Sequence, residues 1–130
     1  MAARWSAYSS DPTKWEDALQ RTAQTIRTLG FQVILVADVP SYPWNVPKCV
    51  GRLGEPACRI TRESVDAGRA ATLEVLKRVA RNVPGVSLWD PIDALCDKTN
   101  CSPIRNGIVL YADGDHLSVA GSLSLVNGAP

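Results

Sequence analysis

The segment FQVILVA, residues 31–37, decides the fold class of this chain. It is a continuous apolar run rich in β-branched residues, a pattern that predicts a buried strand of a parallel sheet. The run ends at Asp38-Val39-Pro40. Ligands of open parallel sheets bind beyond the carboxyl ends of the strands, so the residues that follow each strand are the first candidates for chemistry.

Helices and strands alternate on either side of this run. Apolar residues at helical spacing predict the helices, and Gly or Pro-Gly signals end the first two. The helices are expected at 12–29, 62–82, 91–95 and 117–126, and further strands at 86–89 and 107–112, after a possible strand end at 2–5. Residues 39–60 are expected to form a long loop. This order predicts one α/β domain, with three α/β/α layers and a mostly parallel sheet.

The composition excludes several function classes. The 130 residues include 14 Lys+Arg and 13 Asp+Glu, a net charge of +1, so the chain has no large basic field for nucleic acid. The apolar fraction of 45% and the charged fraction of 21% are ordinary for a globular domain and argue against disorder. No apolar run approaches the roughly 18 residues of a membrane helix, and the N-terminal residues lack a signal-peptide pattern.

Four cysteines lie as two close pairs in Pro/Gly/Asn-rich segments. Cys49 and Cys58 are nine positions apart, and Cys96 and Cys101 are five apart. Of the three possible pairings the local one is the simplest, so we predict the disulfides Cys49–Cys58 and Cys96–Cys101. Free buried thiols and zinc remain as alternatives, although structural zinc sites have tighter spacing and the chain has one histidine. Disulfides imply an oxidising compartment.

Three predicted strands end in aspartate. Asp90, which precedes a proline, is predicted to cap the short helix, and Asp38 to be a turn residue. Asp113 differs because it opens the segment DGDHLS, which contains His116, the one histidine of the chain. An aspartate at a strand end can accept the Nδ1–H of an imidazole three residues later, which leaves Nε2 to act as a general base. Asp115 is expected to point away. The alternative is a loop histidine that caps the final helix.

Tyr42 and Trp44, in the proline-rich loop, are the aromatic candidates for sugar binding. They either stack on a sugar ring or pin the loop to the body of the domain, and the second interpretation is favoured. The other tryptophans are predicted to lie in or near the core: Trp5, Trp15 and Trp89. The basic residues of the second long helix are predicted to form a solvated face: Arg62, Arg69, Lys77, Arg78 and Arg81.

The segment LYADGDHLSVAG, residues 110–121, resembles the last sequence block of the SGNH hydrolases. It is especially similar to that block in the C-terminal periplasmic domains of family-three membrane acyltransferases, which O-acylate surface carbohydrates. Those domains end in a cysteine pair, a strand and the pattern Y-x-D-x-x-HLS-x-x-G, here Cys96, Cys101, Ile108 to Tyr111, Asp113, His116 and Gly121. Upstream matches extend the resemblance over nearly the whole chain: Arg4-Trp5-Ser6-x-Tyr8, Asp38-Val39-Pro40 and the Cys49/Cys58 loop.

The resemblance implies an SGNH/flavodoxin-like fold and a Ser-His-Asp triad with Asp113 as the acid and His116 as the base. The family's serine belongs to a Gly-Asp-Ser motif after the first strand, and this sequence contains no Gly-Asp-Ser. Ser118 is expected to cap the last helix, and the family's oxyanion-hole glycine is also missing. The resemblance thus implies that residues 1–130 form one partial SGNH-like domain, a C-terminal fragment without the N-terminal strands and the nucleophile block.

The implied function is O-acylation, in particular O-acetylation, of cell-surface carbohydrate, with the nucleophilic serine outside this chain. A carbohydrate O-acyl esterase and a non-catalytic SGNH-like binding module are the alternatives, and the isolated chain is expected to be inactive. The implied partners are an acyl donor, a carbohydrate acceptor and the membrane acyltransferase domain of a full-length protein tethered to the inner membrane on its periplasmic side. No cofactor, metal or nucleic acid is expected.

Overall fold

The structure, a computed structural model, describes Trp5 and residues 11–126, without the side chains of Pro12 and Thr13. The possible strand end at 2–5 therefore lies outside the described residues, except for Trp5. The chain divides into two compact units, residues 1–38 with 68–90 and residues 39–67 with 91–130.

The first unit is built on a parallel pair of strands. β1 (Val33–Val36) pairs with β3 (Val86–Trp89), so that Val33 lies opposite Val86 and Val36 opposite Trp89. α1 (Pro12–Thr28) precedes β1, and α3 (Arg62–Asn82), whose first turns belong to the second unit, ends just before β3. A helix between two paired parallel strands is the usual crossover. These two helices and the parallel pair confirm the sequence prediction.

The core of the first unit covers one face of β1. Val33 and Leu35 are buried, whereas Ile34 between them is 40% exposed, because successive side chains of a strand point to opposite faces. The prediction of a buried strand is therefore right for one face and wrong for the other. The core cluster consists of Trp5, Leu19, Ala23, Val33, Leu35, Ala37, Val75, Leu76, Val79, Val83 and Val86.

Trp5 is anchored at the carboxyl end of β1. Its backbone N–H donates to Asp38 Oδ1 at 2.8 Å, and its indole Nε1–H donates to the Val36 carbonyl at 2.6 Å. The ring stacks on that of Trp15, with the centroids 6.1 Å apart. The predicted core position of Trp5 is confirmed. Trp15 is half-buried and packs against the core cluster, as predicted, and Trp89 is half-buried.

The second unit contains a helix in the segment predicted as a long loop. α2 (Val46–Leu53) begins after Asn45, whose side chain accepts the Lys48 N–H at 3.0 Å, and it has a proline in its first turn. A cap residue followed by an early proline is a helix-start signal that the sequence does carry. A 3-10 turn follows at Glu55–Cys58, and then β2 (Ile60–Thr61).

The predicted parallel strand at 107–112 is wrong. β5 (Ile104–Arg105) and β6 (Ile108–Val109) instead form an antiparallel hairpin. Asn106 and Gly107 make its two-residue turn with φ of 50° and 77°, and Asn-Gly is the sequence that favours such a turn. β2 also pairs antiparallel, with β4 (Asn100–Cys101).

The remaining helices are short. α4 (Ile92–Leu95) and α5 (Val119–Val126) lie within the stretches predicted for them. The α/β class is confirmed, with one parallel two-stranded sheet in the first unit and two antiparallel two-stranded sheets in the second, counted over the described residues. Among the described residues, no helix is both long enough and apolar enough to cross a membrane.

Candidate active site

A closed turn after β6, residues 112–116, carries the predicted pair of Asp113 and His116. We call this pair the dyad and the turn the dyad turn. Leu110 and Tyr111 are buried and anchor the turn at its start. The N–H of Ser118 donates to the Leu110 carbonyl at 2.8 Å, and the N–H of Ala112 donates to the His116 carbonyl at 2.8 Å. These bonds close residues 112–116 into a tight turn, because the chain is hydrogen-bonded to itself at both ends of the segment.

Asp113 and His116 face each other across this turn. Asp113 Oδ1 accepts the backbone N–H groups of Asp115 at 2.9 Å and His116 at 2.8 Å, and Oδ2 lies 2.8 Å from His116 Nδ1. An aspartate that binds backbone N–H groups two and three residues later stabilises a turn, so the same side chain shapes the backbone and orients the ring. Pairing of Nδ1 with a carboxylate favours the proton on Nδ1 and places the basic lone pair on Nε2.

The electrostatics of Asp113 suit this role. The two backbone N–H donors from Asp115 and His116, followed by the hydrogen bond from the His116 ring, hold the pKa of Asp113 far below its usual range. The carboxylate is therefore ionised at neutral pH and can stabilise an imidazolium without taking its proton. The imidazole is about three-quarters exposed, so a reacting group can reach it.

Asp115 is a second carboxylate on the same ring nitrogen. Its Oδ1 lies 3.2 Å from His116 Nδ1, so the expectation that it points away is wrong. The ring is thus held between two carboxylates. Ligand atoms of Asp113, Asp115 and His116 lie within 4.8 Å of one another, a spacing that can hold a metal ion. A cation there would compete for the atoms that pair the ring with the carboxylates.

The loop before α2 supports the dyad turn from the other side. The N–H of Tyr42 donates to the Gly114 carbonyl at 2.7 Å, and the N–H of Val46 donates to the Asp113 carbonyl at 3.0 Å. A Cβ at Gly114 would lie 2.8 Å from the Tyr42 carbonyl oxygen and 2.9 Å from that of Trp44, so only glycine fits. The segment 42–46 therefore fixes where the dyad lies.

Tyr42 anchors the loop before α2 to the rest of the second unit, as the favoured interpretation predicts. The side chain is buried, its hydroxyl donates to the Cys101 carbonyl at 3.1 Å, and its ring meets Tyr111 edge-on at 4.9 Å. Burial raises the pKa of the Tyr42 hydroxyl well above its usual value. Trp44 is different, since it is 36% exposed.

Both predicted disulfides are confirmed. Cys49 is bonded to Cys58 with Cα atoms 6.0 Å apart, and Cys96 to Cys101 with Cα atoms 4.0 Å apart. Free thiols and a cysteine zinc site are thereby excluded, since all four cysteines lie within the described residues and none is free. The first bridge closes the segment just before β2, and the second closes the segment that ends in β4.

Ser118 is a helix cap, as expected. Its hydroxyl donates to the Val109 carbonyl at 2.9 Å and accepts the Gly121 N–H at 3.0 Å. Gly121 itself lies against the backbone of Leu110, because a Cβ there would overlap the Leu110 carbonyl oxygen. Ser118 and Gly121, the motif residues after His116, therefore support the turn that carries the dyad.

Two predictions for the first unit are wrong, one for Asp90 after β3 and one for Arg69 on α3. Asp90 does not cap α4: Pro91 holds the cap position, and Asp90 binds Arg69 through two hydrogen bonds of 2.8 and 2.5 Å. Arg69, predicted as solvated, is 6% exposed and also donates to the Asp38 carbonyl at 3.2 Å. A sequence signal was present, because Arg69 falls at helical spacing among three apolar residues of α3: Val65, Leu76 and Val79.

The other cations of α3 lie nearer to water. Lys77 and Arg81 are exposed, as predicted. Arg62 and Arg78 are partly buried by ion pairs, Arg78 with Glu16 at 2.7 Å and Arg62 with Asp93 at 2.8 Å.

Comparison with known proteins identifies the family. The sequence model of the SGNH domain fused to AT3 domains matches residues 1–128. No curated protein matches the chain. Among solved structures, the periplasmic domain of a lipopolysaccharide acetyltransferase from Salmonella ser. Paratyphi A matches with a TM-score of 0.63 and 18% identity, over 90% of this chain and 48% of that one. The likeness shows a shared fold, of which this chain spans about half. With the family match over 128 residues, the chain belongs to the SGNH domains that are fused to AT3 domains.

Proposed function

We propose that the chain supplies the acid–base residues of an acyl transfer that O-acetylates cell-surface carbohydrate. The observation that carries the proposal is the 2.8 Å contact between Asp113 Oδ2 and His116 Nδ1, on an exposed turn after a buried anchor. The family supports acyl transfer as the reaction class, and the solved relative is described as a lipopolysaccharide acetyltransferase periplasmic domain. A periplasmic location and a membrane acyltransferase domain as partner belong to the same proposal.

The proposed mechanism uses a serine that is not among these 130 residues, since they contain no Gly-Asp-Ser. The serine oxygen attacks the acetyl carbonyl carbon while its proton passes to His116 Nε2, and that proton is returned to the departing donor group. A sugar hydroxyl then gives its proton to Nε2, and its oxygen attacks the acyl-serine. The serine leaves and takes the proton back. Asp113 keeps the ring oriented and balances the imidazolium charge in both halves.

The test is O-acetylation in cells that express the gene in its natural context. We expect His116→Ala and Asp113→Asn to lower the acetyl content of surface polysaccharide, because loss of a general base costs about 10²- to 10⁴-fold in rate. Acetyl content is measured by NMR of the purified polysaccharide. Asp17→Asn, an exposed carboxylate on α1, is the matched control and should leave it unchanged.

The missing Gly-Asp-Ser favours one second candidate, a non-catalytic SGNH-like module. For that candidate His116→Ala leaves acetylation at the wild-type level, which would contradict the proposed transfer. An increase of acetyl content in His116→Ala would instead assign an ester hydrolase to the same dyad.

A further inference from the structure

A groove of about 470 Å³ lies on the second unit. Its volume is within the usual range for small-ligand sites. It is lined by Trp44, Asn45, Lys48, Cys49, Arg52 and Leu53. Neither the dyad nor the family's sequence block contributes a side chain to this lining.

One face of α2 forms most of the groove. The lining positions of the helix are spaced by three and four residues, so they share a face. Cys49 is fixed from below by its bond to the buried Cys58, which makes this part of the groove rigid. At the N-terminal end of the helix stands Trp44, whose 36% exposure leaves ring surface open to a ligand.

The charge of the groove is purely positive. Lys48 and Arg52 are exposed and lie four positions apart, so their Cβ atoms are about 5–6 Å apart. No acidic residue lines the groove, and neither cation forms an ion pair with a described residue, in contrast to Arg59 and Arg62 of the same unit. Like charges at this spacing repel each other, and an anionic ligand would remove that repulsion.

Backbone bonds place the groove next to the dyad. The segment that carries Trp44 is bonded to the dyad turn on both sides of the tryptophan, through Tyr42 to Gly114 and through Val46 to Asp113. Trp44 contacts the turn directly, since its carbonyl oxygen lies against Gly114. A molecule held in the groove therefore lies beside the turn that presents His116.

We propose that this groove binds an anionic sugar of the acceptor carbohydrate, one that carries a phosphate or carboxylate group. Trp44 stacks on the sugar ring, and Lys48 and Arg52 bind the anion through charge-assisted hydrogen bonds. The inference rests on the proposed acyl transfer and deepens it, because it names the class of acceptor.

Calorimetric titration of the 130-residue chain tests the proposal with four probes: glucose 1-phosphate, glucuronate, glucose and inorganic phosphate. We expect both anionic sugars to bind at least about tenfold more tightly than glucose or phosphate alone, the equivalent of one charge-assisted contact. Equal affinity for glucose 1-phosphate and phosphate would show a simple anion site, and equal affinity for glucose 1-phosphate and glucose a neutral one. Either result, or no binding, overturns the proposal.

Variants locate the site. Trp44→Ala and the pair Lys48→Gln with Arg52→Gln should each weaken glucose 1-phosphate binding about tenfold or more, and Trp44→Phe should retain most of it. Lys98→Gln, an exposed cation elsewhere in the unit, is the matched control and should change nothing. Unchanged binding in the groove variants overturns the assignment, with circular dichroism to confirm that each is folded.

His116→Ala separates this proposal from the acyl transfer. The variant should bind glucose 1-phosphate as the wild type does, because the histidine does not line the groove. Loss of acetylation in His116→Ala without sugar-phosphate binding by the wild type rejects the groove alone. Binding with unchanged acetylation in His116→Ala rejects the transfer alone.

Discussion

Asp113 performs two tasks with one carboxylate. One oxygen binds two backbone N–H groups and the other binds the imidazole, so the turn and the dyad form together. This is why a contact between residues three positions apart could be predicted from sequence: it needs only local backbone geometry. The contact of the second carboxylate, Asp115, was missed because spacing along the chain does not show which way the side chain of a turn residue points.

The stability of the chain should depend on Asp113 in a pH-sensitive way. A carboxyl with a lowered pKa stabilises the folded state above its unfolded pKa of about 3.9, and that contribution is lost as the pH falls below this value. Asp113→Asn should therefore lower the melting temperature at pH 7, and the gap to the wild type should narrow below about pH 4. Thermal unfolding from pH 7 to pH 3 measures it. A gap that widens in acid would contradict the sign.

Arg69 is buried, unlike the other basic residues that the structure describes. Its guanidinium joins Asp90 after β3 to the carbonyl of Asp38 after β1, so it holds together the carboxyl ends of the two parallel strands. Asp90 is 28% exposed at its side chain, which keeps the pair partly hydrated. The pair is a structural tie of the first unit.

Breaking this pair should be costly. We expect Arg69→Met to lower the free energy of unfolding by about 2–4 kcal/mol, because it removes the guanidinium partner of Asp90, a carboxylate that is only partly hydrated. The double variant with Asp90→Asn should lose less than the sum of the single variants. Lys77→Met breaks the exposed pair with Glu74 on the same helix and should cost under about 1 kcal/mol. Urea unfolding measures the free energy of unfolding of the two single variants, the double variant and Lys77→Met. Equal losses in Arg69→Met and Lys77→Met would contradict a structural role for the Arg69–Asp90 pair.

At the scale of the element, the second unit is held by close backbone approaches. α5 lies so near the start of the dyad turn that Gly121 has no room for a side chain. α2 is packed differently, since a Cβ at Gly51 would meet nothing within 4 Å. Packing therefore requires glycine at position 121 of α5, whereas it does not require glycine at position 51 of α2, a helix of the same length.

The two glycines give a matched pair of substitutions. Gly121→Ala should destabilise the chain by more than about 2 kcal/mol, because either the helix or the Leu110 backbone must move. Gly51→Ala should stabilise it by about 0.5–1 kcal/mol, since alanine loses less entropy in a helix than glycine. Urea unfolding decides both. A neutral Gly121→Ala would mean that α5 is not seated against Leu110.

The elements also show what a sequence can and cannot predict. α1 and α3 followed from the helical spacing of their apolar residues, and β1 from the continuous apolar run at 31–37. Ile34 was placed wrongly because the covering of each strand face depends on distant segments. The Arg69–Asp90 pair and the bonds from Tyr42 and Val46 to the dyad turn likewise join residues far apart in sequence, for which spacing carries no information. The hairpin turn at Asn106-Gly107 is a different case, because the adjacent Asn and Gly are a local sequence signal from which the turn could have been predicted.

At the scale of the whole molecule, both disulfide bridges lie in the second unit. Cys58 and Cys101 are completely buried, and each bridge closes a short segment. The remaining apolar surface is considerable, with Phe31 63% and Leu53 68% exposed. Covalent ties thus carry part of the stability that burial supplies in larger domains.

Removal of the bridges should show this contribution. Replacing Cys49 and Cys58 together, or Cys96 and Cys101 together, by alanine should each cost about 2–3 kcal/mol, the value expected for short loops. Urea unfolding measures the loss, and peptide mapping without reductant should recover the same two pairs. A peptide that links Cys58 to Cys96 would contradict the structure.

The short reach of the bridges has a consequence for biogenesis. Each cysteine meets its partner nine or five residues along the chain, whereas any wrong pairing must close a longer loop or join cysteines across the two segments. Correct oxidation is therefore entropically favoured as soon as each segment is available to an oxidant. We therefore expect a thiol oxidase to suffice for these pairs, without an isomerase to correct scrambled bonds.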